Sequence, residues 1–357
     1  MTDLFSSNKK SKMIYNELND LLKESDKIRT NIPYTIDSLD FNVKYTPSAN
    51  NLFDVSIRNQ INNYINYLTQ LKFVYKNIFF TINIYTEKYI NVLEYFKKIQ
   101  LAIILCLTNN TDFDYKIDFT IDLFYTKLKK KWPKHLETIK SQHINSGFSK
   151  FNETMYICIY REEEWLKSLI QELLYSFSLE LQHRNIDFTQ IFSKIFNINA
   201  TFLLHDSIID FWSRIINIAF ITYFTNNKNS YEQFTLNLER EKMFSILQAN
   251  KLLSIYDTTY ENILNIDEVP INKLYKEETN AFSYYVLTSI LINDFDRTIN
   301  WLDINKNNIF NLVKSEKDIV IFTYYIVNIL KNKKILNHYK NPKCQKYISS
   351  AKMTTFK

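Results

Sequence analysis

Apolar positions along the chain change their spacing near residue 160. Before it, extended stretches alternate with helical ones; after it, almost every segment repeats its apolar residues at helical intervals. The pattern predicts a helix over Lys12–Arg29, extended chain over Tyr34–Tyr45 ending at Pro47, and a helix over Arg58–Tyr75. That last helix rests on the spacing of Ile61, Tyr64, Ile65, Leu68, Leu71 and Phe73. Phe79–Tyr85 is β-branched and aromatic and reads as a strand; a helix over Lys88–Leu107 and a strand within Asp114–Phe124 follow. Met155–Tyr160 reads as a further strand. Beyond it the predicted helices are Glu162–Gln182, Asp206–Thr225, Tyr231–Ser254, Glu277–Ile292 and Lys317–Leu330.

Strands first and helices afterwards make an α+β plan. The expected organisation is a mixed α/β part over 1–160 that ends in an edge strand. A helical part over 161–330 and a basic tail over 331–357 follow.

Composition narrows the chemistry. The 357 residues hold a single glycine, Gly147. Walker loops, dinucleotide fingerprints, kinase glycine loops and nucleophile elbows all need glycine where backbone meets phosphate or turns sharply, so none can be built here. The bias toward Asn, Ile, Lys, Tyr and Phe follows AT-rich codons. Cys106, Cys158 and Cys344 are scattered, with no C-x-x-C pair, which suits a reducing intracellular compartment. Residues 1–12 lack the apolar core of a signal peptide, and the longest apolar runs fall short of a bilayer span.

Net charge is +6, but residues 331–357 hold eight lysines and no acid. The remainder carries 36 basic against 38 acidic residues, a net of −2. Such a tail could hold nucleic acid, although a solvated terminus is the commoner outcome. The knot Lys127-Leu128-Lys129-Lys130-Lys131-Trp132-Pro133-Lys134 could likewise stack and neutralise nucleic acid, or simply close a turn at Pro133.

The chemistry-bearing stretch is the junction after the 155–160 strand. Leu166, Leu169, Ile170, Leu173 and Phe177 form an apolar stripe, and Ser168, Gln171, Glu172 and Tyr175 project from the other side. The pentad Gln171-Glu172-Leu173-Leu174-Tyr175 has the layout of His-Glu-x-x-His, in which two imidazoles one turn apart bind zinc and the glutamate activates water. Both imidazoles are replaced. No two of the five histidines stand at this spacing; His143 and His205 are the two nearest the candidate cleft.

Further segments extend the parallel: Ile144–Phe148, Tyr160–Trp165, Asp206–Ser213 and Glu277–Tyr285. In order and spacing these resemble a zincin-like family of giant and other large DNA viruses, with a degenerate metallopeptidase motif, over more than half the chain. The resemblance implies that Gln171 and Tyr175 occupy the two ligand positions, Glu172 that of the general base and Asp206 that of a third ligand. Asp206 and Asp210 stand where the family has Glu-Ser-x-x-Glu-x-Trp. Gly147, Tyr160 and Asp210, in the matched segments, are the binding candidates. An amide oxygen and a phenol are poor zinc ligands, so no metal or other cofactor is expected.

The function so implied is an inactive, peptidase-like protein of a large DNA virus, in host cytoplasm or virion, with a viral or host protein or peptide in the former cleft. The alternatives are an active metal-dependent hydrolase using Glu172 and a nucleic-acid-associated factor acting through Lys331–Lys357. Residue by residue, a plain helix also accounts for the motif. Asp206 would then cap its helix, and Asp210 with Arg214 would make an i,i+4 pair.

Overall fold

The computed structural model describes residues 9–40, 53–108, 117–151, 154–177, 188–225, 230–264, 274–302, 316–330 and 350–356. The chain is of mixed α and β content. Helix α1 (Lys9–Thr30) and strand β1 (Tyr34–Asp40) come first, then α2 (Val55–Tyr64), β2 (Tyr67–Tyr75) and β3 (Ile78–Thr86). They are followed by α3 (Leu93–Thr108), β4 (Phe119–Phe124), the short α4 (Ser141–Ile144), β5 (Gly147–Phe151), β6 (Met155–Ile159) and α5 (Trp165–Ser176). Two compact units result. One holds Asp20–Lys129 and Asn145–Leu179, the other Met1–Asn19, Lys130–Ile144 and Glu180–Phe356. The expected boundary at 160 is therefore displaced: α5 stays with the sheet unit because it packs on β5, β6 and α3.

The sheet has the order β1-β2-β3-β4-β6-β5. Pairs β1/β2, β2/β3 and β5/β6 are antiparallel, and β3/β4 and β4/β6 are parallel. Two expectations change here. The predicted helix over Arg58–Tyr75 ends at Tyr64, and Tyr67–Tyr75 forms strand β2. Leu71 and Phe73 fit a period of two as well as a helical period, and pairing with strands on both sides decides for the strand. The strand before α5 is not an edge: β6 is held by β4 on one side and β5 on the other. The edge is β5.

The two faces of the sheet differ. Leu71, Ile82, Ile121 and Ile157 stand in one register row, all fully buried. Each such side chain contributes roughly 1.5–3 kcal/mol. Helix α5 lies over this face, where Phe177 at its C-terminal end meets Phe119 with ring centroids 5.0 Å apart. On the opposite face Phe53, just before α2, packs edge-on against Phe124, Phe148 and Tyr160, joined by Ile57 and Ile61. Next to that cluster runs a polar row. Gln70 Nε2 donates to Asn83 Oδ1 and Asn83 Nδ2 to Asp122 Oδ1, both at 2.8 Å, while Tyr156 Oη donates to Asp122 Oδ2 at 2.8 Å. Asp122 is thus buried with both oxygens satisfied.

The second unit is helical among its described residues. It contains α6 (Phe188–Phe192), α7 (Leu204–Phe224), α8 (Ser230–Ser254) and α9 (Tyr260–Ile263). A π-wound turn over Ser283–Leu287 runs into α10 (Thr288–Asn293), followed by α11 (Phe295–Trp301) and α12 (Glu316–Leu330). Helices α7, α8 and α10 pack on one another. The single helix expected over Glu277–Ile292 starts only at residue 281 and widens over 283–287. There Ser283 O accepts from both Ser207 Oγ and Thr288 Oγ1, and Ser283 Oγ accepts from Leu203 N, so the turn is fastened to the start of α7.

Residues 331–349 lie outside the described residues, but the end of the tail is not a solvated strand of chain. Ala351 and Thr354 are fully buried. Gln248 Nε2 donates to Ser350 O and Lys352 O, Tyr285 Oη donates to Ala351 O, and Ala351 N donates to Lys130 O. No helix among the described residues is long and apolar enough to cross a membrane.

Candidate functional site

The junction from β6 into α5 is built without glycine. Glu164 takes up the left-handed conformation (φ 59°) immediately before the helix, turning the chain from strand direction into α5. Neighbouring elements hold this turn in place. Thr126 Oγ1 donates to Tyr160 O at 2.6 Å, Arg161 Nε to Asn145 O at 2.9 Å, and Glu162 N to Thr126 O at 3.2 Å. Tyr160 is buried, its phenol pushed up by burial, with the Arg161 guanidinium 5.7 Å from its ring. Glu163 is buried 3.7 Å from the Lys129 ammonium.

On α5, Gln171, Glu172 and Tyr175 fall within one arc of the helix, as 100° per residue requires. Glu172 and Tyr175 are half-buried and Gln171 is buried. Gln171 is already engaged: its Oε1 accepts from Lys167 Nζ at 2.6 Å, a lysine only 1% exposed. Lys167 was not anticipated from the pattern, although its place one turn before Gln171 is the signal that would have found it. Gln171 thus serves as the acceptor for a buried lysine.

Gly147 opens β5 opposite Ile159. A Cβ there would clash with Ile159 Cδ1 and lie 2.6 Å from Cys158 O, so close approach of two strands, not a turn, demands glycine. Tyr160 N donates to Ser146 O at 2.9 Å, which sets the antiparallel alternation. Phe148 and Lys150 exchange bonds with β6, and Gly147, Ser149 and Phe151 turn their amides to the outer edge. Among the described residues β5 pairs with β6 alone, and Phe151 is 60% exposed.

Asp206 and Asp210 belong to the other unit. Asp206 does not cap α7, whose N-cap is Leu203. Its Oδ2 accepts from Asn280 Nδ2 at 2.6 Å and from Tyr284 Oη at 3.5 Å, while Oδ1 lies 3.1 Å from His205 Nε2. Asp210 makes the anticipated pair with Arg214, both buried: Arg214 Nε and Nη2 lie 2.8 Å from Asp210 Oδ2. Arg214 Nη1 reaches Glu241 Oε1 at 3.3 Å, and Glu241 Oε2 accepts from Thr354 Oγ1 and Thr355 N. The segments 206–213 and 277–285, picked out together in the sequence, meet through Asp206–Asn280 and Ser207–Ser283.

Glu277 is a residue whose chemistry sequence reasoning did not assign. Its carboxylate accepts from Thr201 N (2.9 Å), Phe282 N (2.9 Å) and Tyr275 Oη (2.6 Å), yet burial pushes its pKa up to about 7. It sits before the helix rather than in it, where helical periodicity carries no information. His143 accepts from Lys140 N and His135 pairs with Asp257 at 2.9 Å. Within the basic knot Lys130 is buried and Trp132 packs against Tyr285 at 4.9 Å, so these residues serve the core of their unit. Among the described residues no three His, Cys, Asp or Glu side chains gather as a metal-binding group.

Comparison with protein-family models, curated proteins and solved structures yields no match.

Proposed function

We propose that this chain is a zincin-like pseudoenzyme, derived from a metallopeptidase, that holds an extended peptide along its sheet edge without cleaving it. Its origin in a large DNA virus follows from the same sequence resemblance. The observation that carries the reading is the succession of the antiparallel strand β5, at the sheet edge among the described residues, the interior strand β6 and the helix α5 with Glu172 half-buried on its polar arc. An edge strand with unpaired amides accepts a peptide by main-chain pairing, and flanking side chains select its sequence. The engagement of Gln171 by Lys167 supports loss of the metal chemistry, since the amide is spent on a buried charge.

Selection of a displayed library of random peptides on the purified chain tests this. Ser149 turns its amide outward, so Ser149→Pro removes a donor from the edge without breaking the β5–β6 bonds. Peptides enriched on the native chain should lose binding to Ser149→Pro. Equal binding to both would overturn the sheet-edge reading.

A further inference from the structure

A cleft of about 370 Å³ opens on the sheet unit between α3 and the start of α5, lined by Glu94, Tyr95, Lys98, Glu162 and Trp165. Of the aromatic rings, Tyr95 and Trp165 line it, and Tyr125, buried and outside the lining, packs against both. Tyr95 and Tyr125 have centroids 4.9 Å apart, Tyr95 and Trp165 5.4 Å, and Tyr125 and Trp165 6.0 Å, all tilted or edge-on. Tyr125 Oη is buried with no hydrogen-bond partner among the described residues. Among the described residues the lining carries two carboxylates and one ammonium, and so has one negative charge in excess.

This combination selects among ligands. Net negative charge disfavours phosphate and carboxylate. Ring faces attract a cation through their quadrupoles but offer no set of acceptors to replace the hydration of an unmodified ammonium. A cation wrapped in methyl groups needs no such acceptors and gains from both the rings and the nearby carboxylates. We propose that this cleft binds an alkylated ammonium group, of the kind carried by choline or trimethyl-lysine, against the Tyr95 and Trp165 rings, with Tyr125 packed against both. The field of Glu162 already reaches these rings: after burial, its charge is a cause of the raised pKa of Tyr95, and it also contributes at Tyr125.

Isothermal titration of the full chain with tetramethylammonium, choline and a trimethyl-lysine peptide tests the site, with ethanolamine and the unmethylated peptide as controls. The methylated probes should bind about tenfold or more tightly than their controls. Trp165→Leu should abolish the difference. Should that variant fail to fold, Glu94→Gln with Glu162→Gln on the cleft lining should weaken the methylated probes, and Lys98→Gln should strengthen them. Tighter capture of choline or of the peptide supports the proposal either way and names the source of the group. Absence of binding, preference for unmethylated amines, or affinity unmoved by the charge variants would overturn it.

Discussion

Lys167 Nζ donates to Gln171 Oε1 at 2.6 Å, one turn apart on α5 and both shielded from water. The amide of Gln171 therefore has a structural task. Gln171→Leu should destabilise the chain by about 1–3 kcal/mol, the cost of leaving a buried donor without that acceptor. Gln171→Glu, which keeps an oxygen in place, should cost less. Urea unfolding of the two variants measures the difference, and equal stabilities would show that the contact contributes nothing.

Arg214 lies between the buried carboxylates of Asp210 and Glu241. Arg214→Met leaves both acids in the core without the guanidinium and should cost about 3–5 kcal/mol. Thr354→Val removes one of the donors that the C-terminal segment supplies to Glu241 and should cost about 1–3 kcal/mol. Thermal unfolding of the two variants ranks them, and the arginine variant should melt lower.

Glu277 gives stability a pH dependence. Its pKa is raised from 4.5 to about 7 by burial, so the folded chain holds a proton that the unfolded chain releases. The stabilisation is fully present below about pH 4.5 and is lost as pH rises through about 7. Between these limits the native chain should lose up to about 3 kcal/mol relative to Glu277→Gln. Urea midpoints of both proteins from pH 4.5 to 8 give the slope, and parallel curves would contradict it.

Gly147→Ala places a methyl against Ile159 Cδ1 and the Cys158 carbonyl oxygen. A loss of about 1–3 kcal/mol is expected. Adding Ile159→Val should recover only part of it, because the backbone contact remains. Full recovery in the double variant, measured by chemical unfolding, would show that the side chain alone sets the need for glycine.

Legibility from sequence follows the source of each element's stability. Helices α3, α7 and α8 carry their apolar stripes within one segment, and periodicity found them. Strand β2 could be read either way because Leu71 and Phe73 satisfy both periods; its partners β1 and β3 decide, and they are distant in sequence. Strand β5 escaped because Gly147–Phe151 has little alternation and owes its strand form to pairing with β6. The same distinction holds at the site. The arc of Gln171, Glu172 and Tyr175 follows from helix geometry alone, but the commitment of Gln171 to Lys167 and the buried Glu277 depend on packing. The i,i+4 pair of Asp210 and Arg214 was legible; its extension to Glu241 and Thr354 joins residues 113 positions apart and was not.

Peptide binding without hydrolysis is the central proposal, and the fate of a bound peptide tests it most directly. A peptide selected on the native chain and lost in Ser149→Pro would be incubated with the protein and excess zinc, then analysed by mass spectrometry. Recovery of the intact peptide, from the native chain and from Glu172→Gln alike, is the predicted result. Zinc-dependent cleavage by the native chain that Glu172→Gln abolishes would contradict it and establish Glu172 as the base of an active hydrolase.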